Sequence, residues 1–490
     1  MSRRLERLGV GRWWGCAAAV ALTVGLGLFR LGSRSLWGDE AFSVALAGQP
    51  AGEFWLVVTE SQANMSLYYV LLKGWTAFGQ DETSVRALSL AAAVLAVLVL
   101  FVAAERLFGR RVAVLASLLL AVNPFFLRYA QEARAYSLVL LLATAATAVF
   151  LALEEHPHGA PAEAAYVVIG ALAMYAHFFA IFVLGSHLLA LAIARRPLRA
   201  QVVRLACVGV LSLPLALFVL FRDAGQVSHL TRPTPTDVRE ALTQLAGGTG
   251  PLLLLYGLAV LVGVWSWLRA ADQWRRWPLT VAVTWATTPI VGAVVVSLGK
   301  PLFAPRFLTI ALPGIALLVA AGLARLRPAA TLAALVLVVA LSVVQVARVQ
   351  GKPQEDFRAA TAFVLERAAP GDAIAFYRTS RRIPFEYYAR HHAERTLPRS
   401  LMPTSPYGRF DLVADYRHTR LTRTELAAIG DAASRHRVWL FLSRPENERV
   451  REKRENRARL VRTVERRAHL RLQRLFAGLD VRLYEPASAK

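Results

Sequence analysis

Apolar residues run in long blocks through positions 13–347, and the charged residues of that region fall mostly in the short gaps between blocks. A helix that crosses a bilayer needs about 20 consecutive apolar residues, within a range of about 17–25. On that measure the chain predicts eleven spans, at 13–31, 84–104, 112–127, 135–153, 163–176, 177–194, 200–221, 251–268, 278–298, 307–324 and 329–347. The stretch 164–194 is long for one span and short for two; one span would put Arg195 and Arg196 outside, so two turning near His177, which keep the basic loops inside, are expected. Residues 66–79 (SLYYVLLKGWTAFG) are apolar but short and interrupted by Lys73, which predicts a helix lying in the membrane interface with its aromatics at headgroup depth.

From residue 353 the pattern changes to that of a water-soluble domain. Helical spacing over 355–369 precedes a turn and then a strand within 370–377, and PFEYYARHH suggests another helix. LTRTELAAIGDAASRHR predicts a longer helix and VWLFLS (438–443) a strand. Residues 445–475 carry Arg and Glu at helical spacing, and VRLYEP (481–486) closes as a strand. Helices alternating with apolar strands predict a small α/β domain. The expected architecture is therefore mostly α: a polytopic domain over 1–350, with a first outer loop at 32–83, and an extracytoplasmic α/β domain over 351–490.

Composition agrees with this division. The 490 residues are 56% hydrophobic and only 18% charged, against about a quarter charged in ordinary soluble proteins. The net charge of +24 is not a nucleic-acid signature, because much of it sits in the gaps between apolar blocks. Short basic loops face the cytoplasm. Arg3, Arg4, Arg7 and Arg12 put the N-terminus inside, and RLFGRR (106–111), RRPLR (195–199), RAADQWRRW (269–277) and Arg325–Arg327 follow as inner loops. EEHPHG (154–159) is the one inner loop without Arg or Lys. The run after SRRLERLGVGR is long enough to stay in the membrane and is read as a retained signal-anchor. Cys16 and Cys207 both lie in apolar stretches, so neither a disulfide framework nor a Cys-based metal site is expected.

This topology collects polar groups on the outer face. Asp39 and Glu40 stand in LWGDEAFS just past the first span, and Arg128, Glu132 and Arg134 stand in RYAQEARAYS. Lys300 and Arg306 stand in KPLFAPRF, and Arg86 starts the second span. Ionisable groups at a membrane boundary are functional candidates. Carboxylates there can take a proton from an attacking hydroxyl, and guanidinium groups can hold a phosphate leaving group. An outward-facing transferase needs a donor that crosses with the bilayer, and a polyprenyl-phosphate sugar is such a donor. Asp39, Glu40 and Glu132 are the catalytic candidates. Arg306, Arg134, Arg128 and Arg86 are the phosphate-binding candidates. Tyr68, Lys73 and His177 are candidate substrate contacts. Each has a plainer reading: Glu132 as a salt-bridge partner of Arg128 or Arg134, His177 as a packing residue, Tyr68 and Tyr69 as interface anchors.

LWGDEAFS, SLYYVLLKGW, RLFGRRVAVLASLLLAVNPFFLRYAQEARAYS, MYAHFFA and APRFLTIALPGIALL together resemble the C-type membrane glycosyltransferases. The likeness is to their protein mannosyltransferase and aminoarabinose transferase branch, and it covers roughly residues 1–350. It implies transfer of a hexose or pentose from a polyprenyl monophosphate to a lipid, polysaccharide or protein acceptor outside the cytoplasmic membrane, usually with inversion. It implies Asp39, with Glu40 beside it, as base, Glu132 as second acid, and Arg306 and Arg134 at the phosphate. No cofactor and no metal are implied. Relatives commonly have proline before the paired aromatics, where this chain has Met65–Ser66. Inversion needs one base and a good leaving group, unlike the paired carboxylates of glycosidases. The competing class is a multispan transporter or flippase of lipid-linked glycan, which would show inverted repeats and mid-membrane polar groups. The C-terminal domain is expected to shape the acceptor site, to bind anionic glycans, or to act only as a stabilising cap.

Overall fold

The computed structural model describes residues 10–155, 159–221, 232–269, 273–350, 353–392, 394–417, 421–444 and 451–487. Arg3, Arg4 and Arg7, the centre of the EEHPHG loop, residues 222–231 of an expected outer loop, residues 270–272 of an inner one and the start of the helix expected at 445 lie outside the described residues. The chain forms two compact units. One comprises Met1–Leu31, Gln62–Leu71 and Thr83–Gly351, and the other Gly32–Ser61, Leu72–Glu82 and Lys352–Lys490.

The first unit is a polytopic α-helical membrane fold. Among the described residues six helices are long and apolar enough to cross a bilayer: Glu82–Phe108, Tyr136–Glu155, Gly250–Leu268, Arg276–Gly299, Pro305–Leu323 and Pro328–Arg348. Two further pairs qualify only as bent units, Arg110–Val122 with Pro124–Ala130 and Arg199–Leu211 with Leu213–Phe221, each bent by 63°. Trp13–Leu28, Ala160–Ala176 and Ala180–Ile193 are shorter apolar helices. The long apolar stretch is thus broken, with His177 extended at φ −167°, ψ 128° between its two helices.

Small residues let these helices approach closely. A Cβ on Gly322 would lie 1.9 Å from the Ala259 carbonyl oxygen, and one on Gly314 would lie 2.5 Å from the Ala286 nitrogen. In lipid, where burial of apolar surface gives little drive for association, such backbone contact supplies van der Waals energy. A polar chain ties four more helices. The Arg204 Nη1 donates to Gln201 Oε1 (3.3 Å), Gln201 Nε2 donates to the Tyr166 hydroxyl (2.6 Å), and that hydroxyl bonds His187 Nδ1 at 2.8 Å. His187 Nε2 meets Thr147 Oγ1 at 3.0 Å, and the Thr147 hydroxyl donates to the Ala143 carbonyl. Since Gln201 donates to the Tyr166 hydroxyl and Thr147 donates to Ala143 O, Tyr166 donates to Nδ1, and Nε2 of a neutral ring carries the proton to Thr147. Every link is satisfied, which is the condition for a buried polar network to stabilise.

The second unit contains a five-stranded sheet in the order β2-β1-β3-β5-β4, with β1 Ala373–Phe376, β2 Arg399–Met402, β3 Val438–Ser443, β4 Ala468–Phe476 and β5 Leu479–Pro486. β1 pairs in parallel with β2 and β3, while β5 is antiparallel to β3 and β4. Helices Arg423–Arg435 and Arg451–Glu465 contribute to its core, with Ile429, Leu460 and Val464 packing on Leu440, Leu442 and Tyr484.

Two features differ from the sequence reading. The helix expected through 475 stops at Glu465, and 468–476 is an edge strand whose middle residues are exposed. Its Leu470 and Leu472 alternate with the polar residues His469, Arg471 and Gln473, and arginines on an edge strand discourage pairing with other chains. The first outer loop does not stay with the membrane helices either. Most of it joins the C-terminal segment, because its backbone is bonded there. Arg358 donates to the carbonyls of Gly32 (3.1 Å) and Ser33 (3.3 Å) and to Glu82 (2.6 Å). The Tyr387 hydroxyl donates to Gln80 O (2.7 Å), and the Tyr388 hydroxyl accepts from Leu36 N–H (2.7 Å) and donates to Glu82 (2.9 Å). Burial is the main cause that pushes the Tyr388 phenol up to about 12, so it keeps the proton it donates.

Candidate functional site

The densest cluster of predicted residues in the first unit is the turn after helix Pro124–Ala130. Asn123 caps that helix, its Oδ1 accepting from the N–H groups of Phe125 (2.9 Å) and Phe126 (3.0 Å) while its Nδ2 donates to Leu245 O (2.9 Å). Asn at the cap followed by Pro is a strong helix start, and it forces the 63° bend after Val122. The following segment, Tyr129–Leu140, is buried without a gap. Gln131 fixes the turn by donating to the carbonyls of Gly27 (2.8 Å) and Phe29 (2.9 Å) at the end of the first helix.

On this turn Arg128 Nε pairs with Glu132 Oε1 at 3.4 Å, and Glu132 is 2% exposed. Arg134 Nη1 donates to the Tyr69 hydroxyl (3.1 Å), which donates to Gln62 Oε1 (3.1 Å). Arg306 arrives from a distant part of the sequence on a 3-10 turn, Pro305–Ala311, that packs against helix Tyr136–Glu155. The Trp285 indole holds that turn by donating to Ile310 O (3.1 Å). Arg306 acts electrostatically on Arg128, Tyr129 and His177, and Arg134 also acts on His177. Arg128, Glu132, Arg134, His177 and Arg306 are therefore brought together from three parts of the sequence. Three guanidinium groups around one turn form a surface suited to phosphate oxygens.

Other candidates in this unit have structural engagements. Arg86 is 1% exposed and donates to Leu31 O at 2.8 Å, pinning the end of the first helix. Tyr68 and Tyr69 are not headgroup anchors, since they are 1% and 0% exposed. Ser89 donates to Arg134 O (3.2 Å), so Tyr68 donates to Ser89 (3.1 Å) and supports the turn from behind. Lys300 is exposed. A separate, largely apolar cavity of about 740 Å³ lies between helices Ala160–Ala176 and Arg199–Leu211 and touches no predicted site residue.

The second unit holds the Asp39–Glu40 pair in the first turn of helix Gly38–Ala47. The structure separates the two acids. Glu40 is fully buried and its Oε2 accepts from the Trp37 N–H at 3.3 Å, so it caps its own helix. Asp39 is half-buried, and its backbone carbonyl accepts from Ser43. Glu355 reinforces the same helix start by accepting from Gly38 N–H (3.1 Å) and pairing with Arg381. Carboxylates in a helix's first turn complement its dipole. Lys73 lies at the other end of that helix, donating to Ala47 O (3.1 Å) and Gln49 O (2.5 Å) and sitting 5.1 Å from the Phe54 ring. Among the described residues no group of three His, Cys, Asp or Glu side chains is arranged to hold a metal ion.

A family model described as dolichyl-phosphate-mannose-protein mannosyltransferase matches residues 66–220. No curated protein matches the chain in sequence. Among solved structures, ArnT from Cupriavidus metallidurans bound to undecaprenyl phosphate superposes with a TM-score of 0.62 at 14% identity, covering 95% of this chain and 97% of that one. The archaeal oligosaccharyltransferase AglB from Archaeoglobus fulgidus, in complex with an inhibitory peptide and a dolichol-phosphate, superposes at 0.50 and 13% identity over 77% of this chain and 63% of that one. The fold is that of the C-type membrane glycosyltransferases. Within that class it is ArnT-like, with multiple apolar membrane helices and a small C-terminal sheet.

Proposed function

We propose that this protein transfers a sugar from a polyprenyl-phosphate donor to an acceptor on the outer side of the cytoplasmic membrane, with inversion at the anomeric carbon. The observation that carries the reading is the buried turn at 128–137, which gathers Arg128, Arg134 and Arg306 around Glu132 in a fold shared with a protein that binds undecaprenyl phosphate. In this reading Arg306 and Arg134 hold the departing phosphate and offset the charge that develops on it. Asp39, the more accessible acid of its pair, removes the acceptor's proton. Glu40 holds the helix start that presents Asp39. Glu132 keeps Arg128 oriented beside the phosphate-binding groups. Arg86, Tyr68 and Lys73 serve structure, consistent with their carbonyl and hydroxyl partners.

The test is sugar transfer in membranes supplied with polyprenyl-phosphate sugars. Asp39→Asn is expected to abolish transfer while donor binding persists, and Arg306→Ala is expected to weaken donor binding. Full activity in Asp39→Asn removes Asp39 as the base. Export of lipid-linked glycan without any transfer product would instead identify a flippase.

A further inference from the structure

Two polar atoms beside the buried turn have no hydrogen-bond partner among the described residues: the Tyr136 hydroxyl and His177 Nε2. Both residues are 1% exposed. Their rings flank Phe307, the residue after Arg306, at centroid distances of 6.4 Å for Tyr136 and 4.7 Å for His177, and lie 6.5 Å from one another. More than nine in ten buried polar groups find a partner. Two orphans against one ring, beside a cluster of guanidinium groups, call for a molecule that completes them.

The donor sense of each atom follows from its surroundings. His177 Nδ1 accepts from the Phe179 N–H at 3.2 Å, so Nδ1 carries no proton and Nε2 of the neutral ring does. Phe178, Phe179 and Phe307 pack around the imidazole, which fixes the direction of that N–H. Tyr136 is held edge-on by Tyr129 at 5.0 Å and offers an O–H. Arg134 and Arg306 both act electrostatically on His177, so the occupant sits in a positive field. Donors in such a field select an oxyanion.

We infer that the His177 Nε2–H and the Tyr136 O–H donate hydrogen bonds to the phosphate oxygens of the polyprenyl phosphate held by Arg134 and Arg306. This rests on the donor class proposed above. The two residues are binding groups with no proton to transfer. They complete the phosphate's coordination with neutral donors, which spares a low-dielectric site two further charges.

Undecaprenyl phosphate binding to the purified full-length chain tests the inference. Tyr136→Phe deletes one hydroxyl. His177→Asn keeps an amide near Nδ1 for the Phe179 N–H but removes the distal donor, and His177→Gln restores an N–H near Nε2. Tyr136→Phe and His177→Asn should each raise the Kd about 10- to 100-fold, as expected for hydrogen bonds to a charged group. His177→Gln should recover most of the loss, and the melting temperature without ligand should not fall in Tyr136→Phe. If wild type binds and both Tyr136→Phe and His177→Asn bind equally well, the inference is overturned while the proposed donor stands. If His177→Gln loses as much as His177→Asn, direct contact by His177 is overturned. If wild type does not bind undecaprenyl phosphate, the proposed donor fails and the inference falls with it.

Discussion

Replacing Tyr166 with phenylalanine should cost this membrane fold stability, and the structure says how much and why. The substitution leaves no cavity and removes one hydroxyl. That hydroxyl accepts from Gln201 Nε2 at 2.6 Å and donates to His187 Nδ1 at 2.8 Å. Gln201 and His187 are 0% and 1% exposed, so neither can turn to solvent. Leaving a buried polar group unsatisfied costs about 1–3 kcal/mol in soluble proteins. Hydrogen bonds between membrane helices average only about 0.6 kcal/mol, because the unfolded chain in the bilayer also finds partners. Two lost bonds therefore predict about 1–3 kcal/mol for Tyr166→Phe. His187→Phe keeps the stacking on Phe150, whose ring lies 4.4 Å away at 5°. In wild type that change strands the Tyr166 O–H. In the Tyr166→Phe background it removes an acceptor already orphaned, so it should cost about 1 kcal/mol less there. The double-mutant cycle is measured by reversible SDS unfolding in mixed micelles with tryptophan fluorescence. Costs that add to within about 0.3 kcal/mol would refute a directed chain of hydrogen bonds through His187.

Gly322→Val should prevent accumulation of folded protein, since even a Cβ at 322 would meet the Ala259 carbonyl oxygen at 1.9 Å, whereas Gly25→Ala, with nothing within 4 Å, should be neutral; detergent-extracted yield and melting temperature report both. Glu40→Gln should lower the melting temperature by loosening the helix start while leaving measurable transfer, in contrast to the complete loss expected for Asp39→Asn. The Tyr388 phenol, held up at about 12 mainly by burial, makes stability fully present below pH 10 and falling between pH 10 and pH 12, as the unfolded chain ionises and the folded one does not. Denaturant unfolding of wild type against Tyr388→Phe should therefore show a gap that narrows by up to about 2 kcal/mol across that window. Arg358→Ala should cost only about 0.5–1 kcal/mol despite its several bonds, because the guanidinium is 45% exposed and screened by water.

Hydropathy determined the helical membrane region and the change of character near residue 353, and together with the placing of basic loops it determined the break at His177, because the cost of placing polar backbone and charge in hydrocarbon is set residue by residue. Motif spacing also picked out the QEAR turn and Arg306, whose neighbourhood the fold then assembled. Only tertiary structure decided which of the charged candidates are spoken for. Glu40 and Asp39 are adjacent and chemically alike, yet one is drawn onto the Trp37 N–H and the other stays half-buried. Arg86 reads as a phosphate-binding candidate at the start of the second span until the Leu31 carbonyl is found beside it. Residues 468–476 carry arginines at helical spacing, and pairing with β5 over Leu479–Pro486 makes them a strand. His177 was legible as a candidate contact but Tyr136 was not, and the open hydrogen bond of each was hidden, since it depends on every neighbour that packs around it. Solvation is a local property of a residue, whereas partnership depends on contacts between segments far apart in the chain, and no periodicity records those.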